Sequence, residues 1–188
     1  MGKRPRIKKS TENIGSTQVL IADGQTNHFS QNCATPNGKL IHKYNDFEIE
    51  IWIDQHYEKR ATIGDDSGLR LGIEKEKVTS LIIDCVKYIF HFYMTLRLNH
   101  VINFFDKDNP TKDRIILKDF RGSEEALNVA VEIHFLDYSK YEITIITAMK
   151  GNDFKMFDGQ YNISITDEGV NLNKFQNKTL LSVDKLKL

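Results

Sequence analysis

The sequence predicts an α+β protein in which one long amphipathic helix, with a short helix beside it, packs on one face of a mostly antiparallel sheet. Two observations lead there. Between residues 73 and 99, Val78, Leu81, Ile82, Cys85, Val86, Ile89, Phe92, Tyr93 and Leu96 recur at three- and four-residue spacing, while Lys75, Lys77, Asp84 and Lys87 fall opposite. That is the pattern of a helix with one buried stripe. Downstream, apolar runs rich in Ile and Val alternate with turn-forming residues, as strands joined by short connections do. Short connections favour antiparallel pairing, because a parallel return needs a crossover.

Taken in order, the elements organise the chain into three parts. Residues 1–15 carry Pro5 and no hydrophobic period, and are expected to form a disordered basic arm. Residues 16–166 are expected to form a single α+β domain, since 188 residues can bury one sizeable core and need no second. Within it, 17–22 is a short strand candidate and 23–38 a polar stretch. In 47–54 alternation is strict, with Phe47, Ile49, Ile51 and Ile53 on one face and Glu48, Glu50, Trp52 and Asp54 on the other. Residues 55–62 change period and read as a short helix, ended by Gly64, Asp65, Asp66 and Gly68. After the long helix come strand candidates at 101–105, 114–120, 127–136, 141–149 and 161–166. Residues 167–188 have weak periodicity and are expected to be a C-terminal tail.

Composition narrows the function classes. Hydrophobic content of 40% and charged content of 28% are those of an ordinary globular chain. No run approaches the roughly 18 apolar residues of a membrane span, and the basic N-terminus lacks the apolar core of a signal peptide. Without a signal, the glycosylation-type triplets at Asn162 and Asn177 carry little weight. A net charge of zero argues against a broad nucleic-acid-coating face. The charge is uneven, however, with Lys3, Arg4, Arg6, Lys8 and Lys9 crowded at the start, a cluster read as a solubilising arm. Cys33 and Cys85 make no disulfide framework, which sets a reducing, cytoplasmic location as the expectation, including delivery into a target cell's cytoplasm. No zinc-type spacing occurs, and Gly64, Gly68 and Gly72 fit neither nucleotide fingerprint. No metal and no cofactor is expected.

The informative patch runs Ile53-Asp54-Gln55-His56-Tyr57-Glu58-Lys59-Arg60-Ala61, followed after an insertion by Arg70-Leu71-Gly72-Ile73. His56 and Arg60 are four apart, so on a helix they share a face. This strand, His-x-x-x-Arg and Arg-x-Ile order resembles the opening of small metal-independent endoribonucleases of the barnase, EndoU, colicin and RelE group, RegB-like domains in particular. The resemblance covers about 25 positions and implies a helical layer against an antiparallel sheet. It also implies roles. His56 would be the general acid or base, moving protons between a ribose 2′-hydroxyl and the departing oxygen. Arg60, and with it Arg70, would stabilise charge developing on the phosphate. Glu58 is a weaker partner base. A late strand in such domains supplies a hydroxyl or basic residue, and here Thr144 or Thr147 would serve, with Lys150 just beyond; Thr147 joins His56, Arg60 and Arg70 in the candidate set. The spacing from Arg60 to Arg70 is longer than the pattern, and only His91 and His134 are left for a second histidine.

Each residue also has a plainer role. His56 fits a hydrogen-bonded residue at a helix start, and Arg60 and Arg70 fit salt bridges with Glu58, Asp65 and Asp66. Tyr88, Phe90, Phe92, Tyr93, Phe104 and Phe105 are core aromatics before they are base-stacking ones. Two functions are therefore expected. One is a ribonuclease-like toxin or effector that cuts RNA by 2′-hydroxyl attack and is held in check by a protein antitoxin. The other is a non-catalytic binding module, an immunity or regulatory protein, recognising a protein partner.

Overall fold

The structure is a computed structural model that describes residues 29–44, 48–62, 73–104 and 112–187. The expected basic arm of 1–15 and the strand candidate at 17–22 lie outside the described residues, as does the connection holding Arg70. In chain order the elements are β1 (Gly38–Tyr44), β2 (Ile49–Asp54), α1 (Gln55–Thr62), α2 (Lys75–Met94), β3 (Ile102–Asn103) and β4 (Arg114–Asp119). Then follow β5 (Leu127–Asp137), β6 (Lys140–Lys150), β7 (Tyr161–Thr166), β8 (Gly169–Gln176) and β9 (Thr179–Lys187). The nine strands of the described residues belong to one sheet with the order β1-β2-β6-β5-β4-β7-β8-β9, and β3 pairs with β5 off this path.

This sheet overturns the expected architecture. Among the described residues nine strands stand against two helices, so the sheet, not the helix, is the organising element, and the sheet is mixed. β2 runs parallel to β6, β4 parallel to β7 and β3 parallel to β5. The physical reason lies in which strands meet. Connection length speaks only for consecutive strands, and those do pair antiparallel where they are neighbours: β1 with β2, β4 with β5, β5 with β6, and β7 through β9. The parallel contacts join strands far apart in sequence, about which local turn chemistry is silent. Residues 167–188, expected as a tail, supply β8 and β9 and carry the sheet to its far edge. Their polar residues alternate with Val170, Leu172, Val183 and Leu186, which join the core or pack against it.

The sheet has two unlike faces. On one, Ile49, Ile51 and Ile53 of β2, Ile115 and Leu117 of β4, Val129, Val131 and Ile133 of β5 and Ile143 and Ile145 of β6 are buried. α2 lays Val78, Leu81, Ile82, Cys85, Val86, Ile89 and Phe92 against them. Burying that helical stripe is worth roughly 10–20 kcal/mol of gross transfer free energy, before the entropy of ordering the chain. Thr95 ends the helix, its hydroxyl donating to the His91 carbonyl at 2.9 Å, and Leu96 turns the chain at φ 58°.

On the other face a second, small cluster of Ile116, Ala130 and Met156 is edged by Phe154 and Phe175. Around it the face is polar yet mostly buried: Glu132 and His134 on β5, Glu142 and Thr144 on β6, Lys118 on β4, and Asn162 and Ser164 on β7. Between the Val131–Ile145 and Ala130–Thr147 pairs, Ile146 is an extra residue on β6, and this bulge shifts the alternation of the two faces along β6 by one residue.

Candidate functional site

α1 follows β2 without a break, and Gln55 N–H donates to the Asn37 carbonyl at 3.0 Å. The helix is anchored by Tyr57, which is buried in the main core and donates its hydroxyl to the Ile73 carbonyl at 3.3 Å. Burial, aided by the Glu76 charge, pushes the Tyr57 phenol up to about 12, so it serves as a neutral anchor. Glu58, the weaker partner base of the sequence reading, is engaged by Lys75 and lies 4.0 Å from Lys39. That carboxylate is part of a surface ion cluster joining β1, α1 and the start of α2.

His56 and Arg60 occupy positions four apart on the α1 backbone, within Gln55–Thr62, and their side chains lie outside the described residues. Arg70 lies outside them altogether. Thr147 is on β6, opposite Ala130 and partly exposed. The parallel pairing of β2 and β6 relates these positions. Its register ends at Ile53 opposite Ile145, so α1 begins just past the end of β2, and Thr147 stands two residues beyond the last β6 residue paired with β2, in a strand that runs on to Lys150. Lys150 ends β6 and is exposed.

Thr144 has a different setting. It is fully buried, accepts a hydrogen bond from Asn32 Nδ2 at 2.8 Å and donates to Glu142 Oε1 at 3.3 Å. Asn32 also accepts from the Ala34 and Thr35 amides, and the Cys33 amide donates to both oxygens of Glu142, at 3.0 and 3.2 Å. These bonds fasten the segment 29–37 across β6. Thr144 is a fastening residue.

His134, one of the two histidines left for a second catalytic role, is buried with 3% exposure. Its Nε2 lies 3.3 Å from Glu132 Oε2, Glu142 faces it across the strand pair, and Arg114 Nε donates to the other oxygen of Glu132 at 2.9 Å. Burial alone would raise the Glu132 carboxyl, but the hydrogen bonds from His134 and Arg114 outweigh it and hold that group below its ordinary value. For Glu142 the balance is reversed: burial dominates the Cys33 amide, the His134 charge and the Thr144 hydroxyl, and its carboxyl lies above the ordinary value. Two carboxylates with opposed shifts flank one sealed imidazole. His91, the other histidine, is exposed on the last turn of α2, edge-on to Phe92.

Sequence reasoning passed over Lys118, which is 9% exposed and has its amine held below the ordinary value by burial. A lysine between Leu117 and Asp119 in a β-rich run carries no signal until the strand's two faces are assigned. Among the described residues no group of three or more His, Cys, Asp and Glu side chains is arranged to hold a metal ion. Among the same residues no helix is long and apolar enough to cross a membrane. The aromatic set is divided. Phe92 is fully buried, Phe104 is 57% exposed and stacks at a tilt on Phe135, and Phe90 and Phe135 meet Tyr141 edge-on. No family model, curated protein or solved structure matches this chain.

Proposed function

We propose that this chain is a metal-independent ribonuclease-like domain, a toxin or effector working in the cytoplasm, that cuts RNA by attack of the substrate's own 2′-hydroxyl. The observation that carries the reading is the shared position of α1 and Thr147 just past the end of the parallel β2–β6 pair. In this reading His56 takes the 2′-hydroxyl proton as the oxygen attacks phosphorus, and returns a proton to the departing 5′-oxygen, leaving a 2′,3′-cyclic phosphate. Arg60 and Arg70 neutralise the charge that builds on the non-bridging oxygens, and the Thr147 hydroxyl orients one of them. The chemistry needs no metal: every proton and charge is handled by side chains.

The test is cleavage of RNA in EDTA by purified protein and by His56→Ala and Arg60→Ala variants whose far-UV spectra match the parent. Loss of the histidine is expected to reduce cleavage by about 10²–10⁴-fold, and loss of the arginine by about 10²–10³-fold. Full activity in the folded His56→Ala protein, or none in the parent on any RNA, would end this reading.

One observation favours the second reading, a module that recognises a protein partner. At the end of α2, Met94 and Leu96 are each 78% exposed, and with Tyr93, Ile102 and Phe104 they line a groove. Retention of a protein partner by the parent but not by Met94→Asp/Leu96→Asp, with no RNA cut by either, is the outcome that reading expects.

A further inference from the structure

α2 ends in a turn that normally calls for glycine. Arg97 N–H donates to the Phe92 carbonyl at 2.9 Å and Leu96 N–H to the Tyr93 carbonyl at 3.1 Å, the paired bonds of a Schellman end. Its left-handed residue is Leu96, at φ 58°, where a Cβ crowds the backbone and glycine is the usual choice. Burial does not offset that strain, because Leu96 is 78% exposed. Met94, the last helical residue, is exposed to the same extent, and Phe104 more than half. Leu98, two residues on, is fully buried, so the turn has its own apolar anchor and does not need the outward side chains. Large apolar residues facing solvent, one of them on a strained backbone, mark a surface kept for contact.

Met94, Leu96 and Phe104 line a groove of about 470 Å³ together with Tyr93, Ile102 and Asp113. Phe104 stacks on Phe135 with ring centroids 5.4 Å apart, so this wall is formed in advance. The groove's ionisable residues are Asp113 and His100, with no lysine or arginine among those that line it. The Asp113 carboxylate makes no ion pair and no hydrogen bond among the described residues. Arg97, the cation nearest in sequence to Leu96, is turned to Asp184 at 3.7 Å. The C-terminal end of α2 adds its partial negative charge to the same place. Nor is a sheet edge open at that wall. Asn103 Nδ2 donates to the Asp113 carbonyl at 3.0 Å, and the Asp113 N–H donates to Asn103 Oδ1 at 2.8 Å.

We propose that this groove binds one amphipathic helix of a protein partner, with apolar residues at three- and four-residue spacing and a lysine or arginine that meets Asp113. It rests on the second of the two readings above, recognition of a protein partner, and is independent of RNA cutting. An apolar groove that offers side chains and no free strand edge takes a helix by its apolar face rather than an added strand. The unpaired carboxylate and the helix end select a cation. A second copy of this chain is a poorer occupant. Met94, Leu96 and Phe104 leave roughly 400 Å² of apolar surface open, a size at which a patch on a monomer signals a function. That is about half of what each side of a stable interface buries.

The experiment uses a phage-displayed library of random peptides of about 16 residues, roughly four helical turns. It is selected in parallel on the full parent chain and on Met94→Asp/Leu96→Asp, whose far-UV spectrum matches the parent. The parent should enrich peptides with apolar residues at i, i+3 or i+4 and i+7 and one basic residue, and the double variant should lose them. Affinity for a synthetic peptide of the enriched sequence is then read by fluorescence anisotropy. Leu96→Gly should weaken it about thirtyfold, the loss of one hot-spot side chain, yet melt no lower than the parent because glycine relaxes the turn. Asp113→Asn should abolish the preference for the basic residue and flatten the salt dependence. Peptides lost by the double variant but lacking the helical period or the basic residue overturn the proposed helix and leave partner recognition standing. Undiminished binding by Leu96→Gly also overturns it. A selection in which no peptide tells the parent from the double variant overturns both.

Discussion

Glu132 and Glu142 should respond in opposite senses to loss of their charge, although they flank the same histidine. Glu132 is 2% exposed and receives charge-assisted bonds from Arg114 and His134. Glu132→Gln replaces them with neutral ones and turns a donor toward the guanidinium. Breaking a buried pair outright costs about 3–5 kcal/mol. Here Arg114 is 45% exposed and water screens it, so the expected loss is about 2 kcal/mol at pH 7. Glu142 is 3% exposed, and its carboxylate is opposed by burial more than its donors help it. Glu142→Gln keeps a carbonyl for the Cys33 amide and removes a poorly solvated charge. Stability should stay level or rise by up to about 1 kcal/mol.

The pH dependence follows from the two directions. A carboxyl held low in the fold stabilises it above the unfolded value, and that stability is lost as pH falls through the folded value. The deficit of Glu132→Gln is therefore full above about pH 4.3, the ordinary glutamate value, and closes below it. A carboxyl held high in the fold imposes a penalty above its folded value, relieved as pH falls from there to the unfolded value. Any advantage of Glu142→Gln thus disappears in mildly acidic buffer, before the Glu132 deficit begins to close. Urea unfolding followed by circular dichroism, with unchanged m-values, measures both. Equal destabilisation at pH 7, or a greater loss in Glu142→Gln, would refute the opposed environments.

Two further predictions concern the frame. Gly169 has φ 155°, and a Cβ there would lie 2.2 Å from the Leu186 carbonyl oxygen, so Gly169→Ala must part β8 from β9. Its melts should report a loss of about 3 kcal/mol, against about 1 kcal/mol for Gly122→Ala, where φ is 62° but the space is open. Cys85 is fully buried, and burial followed by the Asp84 and Asp119 charges pushes its thiol far up. It should stay silent to a thiol reagent until denaturant is added, whereas labelling in native buffer as fast as Cys33 would contradict the packing of α2.

Elements with a strong period could be read in the sequence, and their assembly could not. The three- and four-residue stripe from Val78 to Phe92 becomes α2, and the alternation of Ile49, Ile51 and Ile53 becomes β2. Neither period states that Ile51 pairs with Ile143 or Ile115 with Tyr161, so the mixed sheet was invisible. The C-terminal residues were passed over because β8 and β9 alternate Asn and Lys with single apolar residues, and β9 is largely exposed. At the candidate site, the four-residue step from His56 to Arg60 was legible because α1 keeps the helical period. The choice between Thr144 and Thr147 was not, because the bulge beside Ile146 restores both threonines to the same face after a register change. Lys118, Glu132 and His134 were unreadable as a polar face for a related reason: their strands are apolar on the other side and dense in Ile and Val.

The parallel contacts also dictate when the molecule can come together. Ile49 finds its partner only when Tyr141 has been made, and Ile115 waits for Tyr161. A ribosome releasing this chain therefore exposes the β1–β2 hairpin and the apolar stripe of α2 well before the strands that cover them emerge. Long-range pairing of this kind makes folding slow and leaves sticky surfaces open meanwhile. Recombinant yield should accordingly improve with cooler, slower synthesis, and chains cut short before β6 should accumulate as aggregates rather than as smaller folded units.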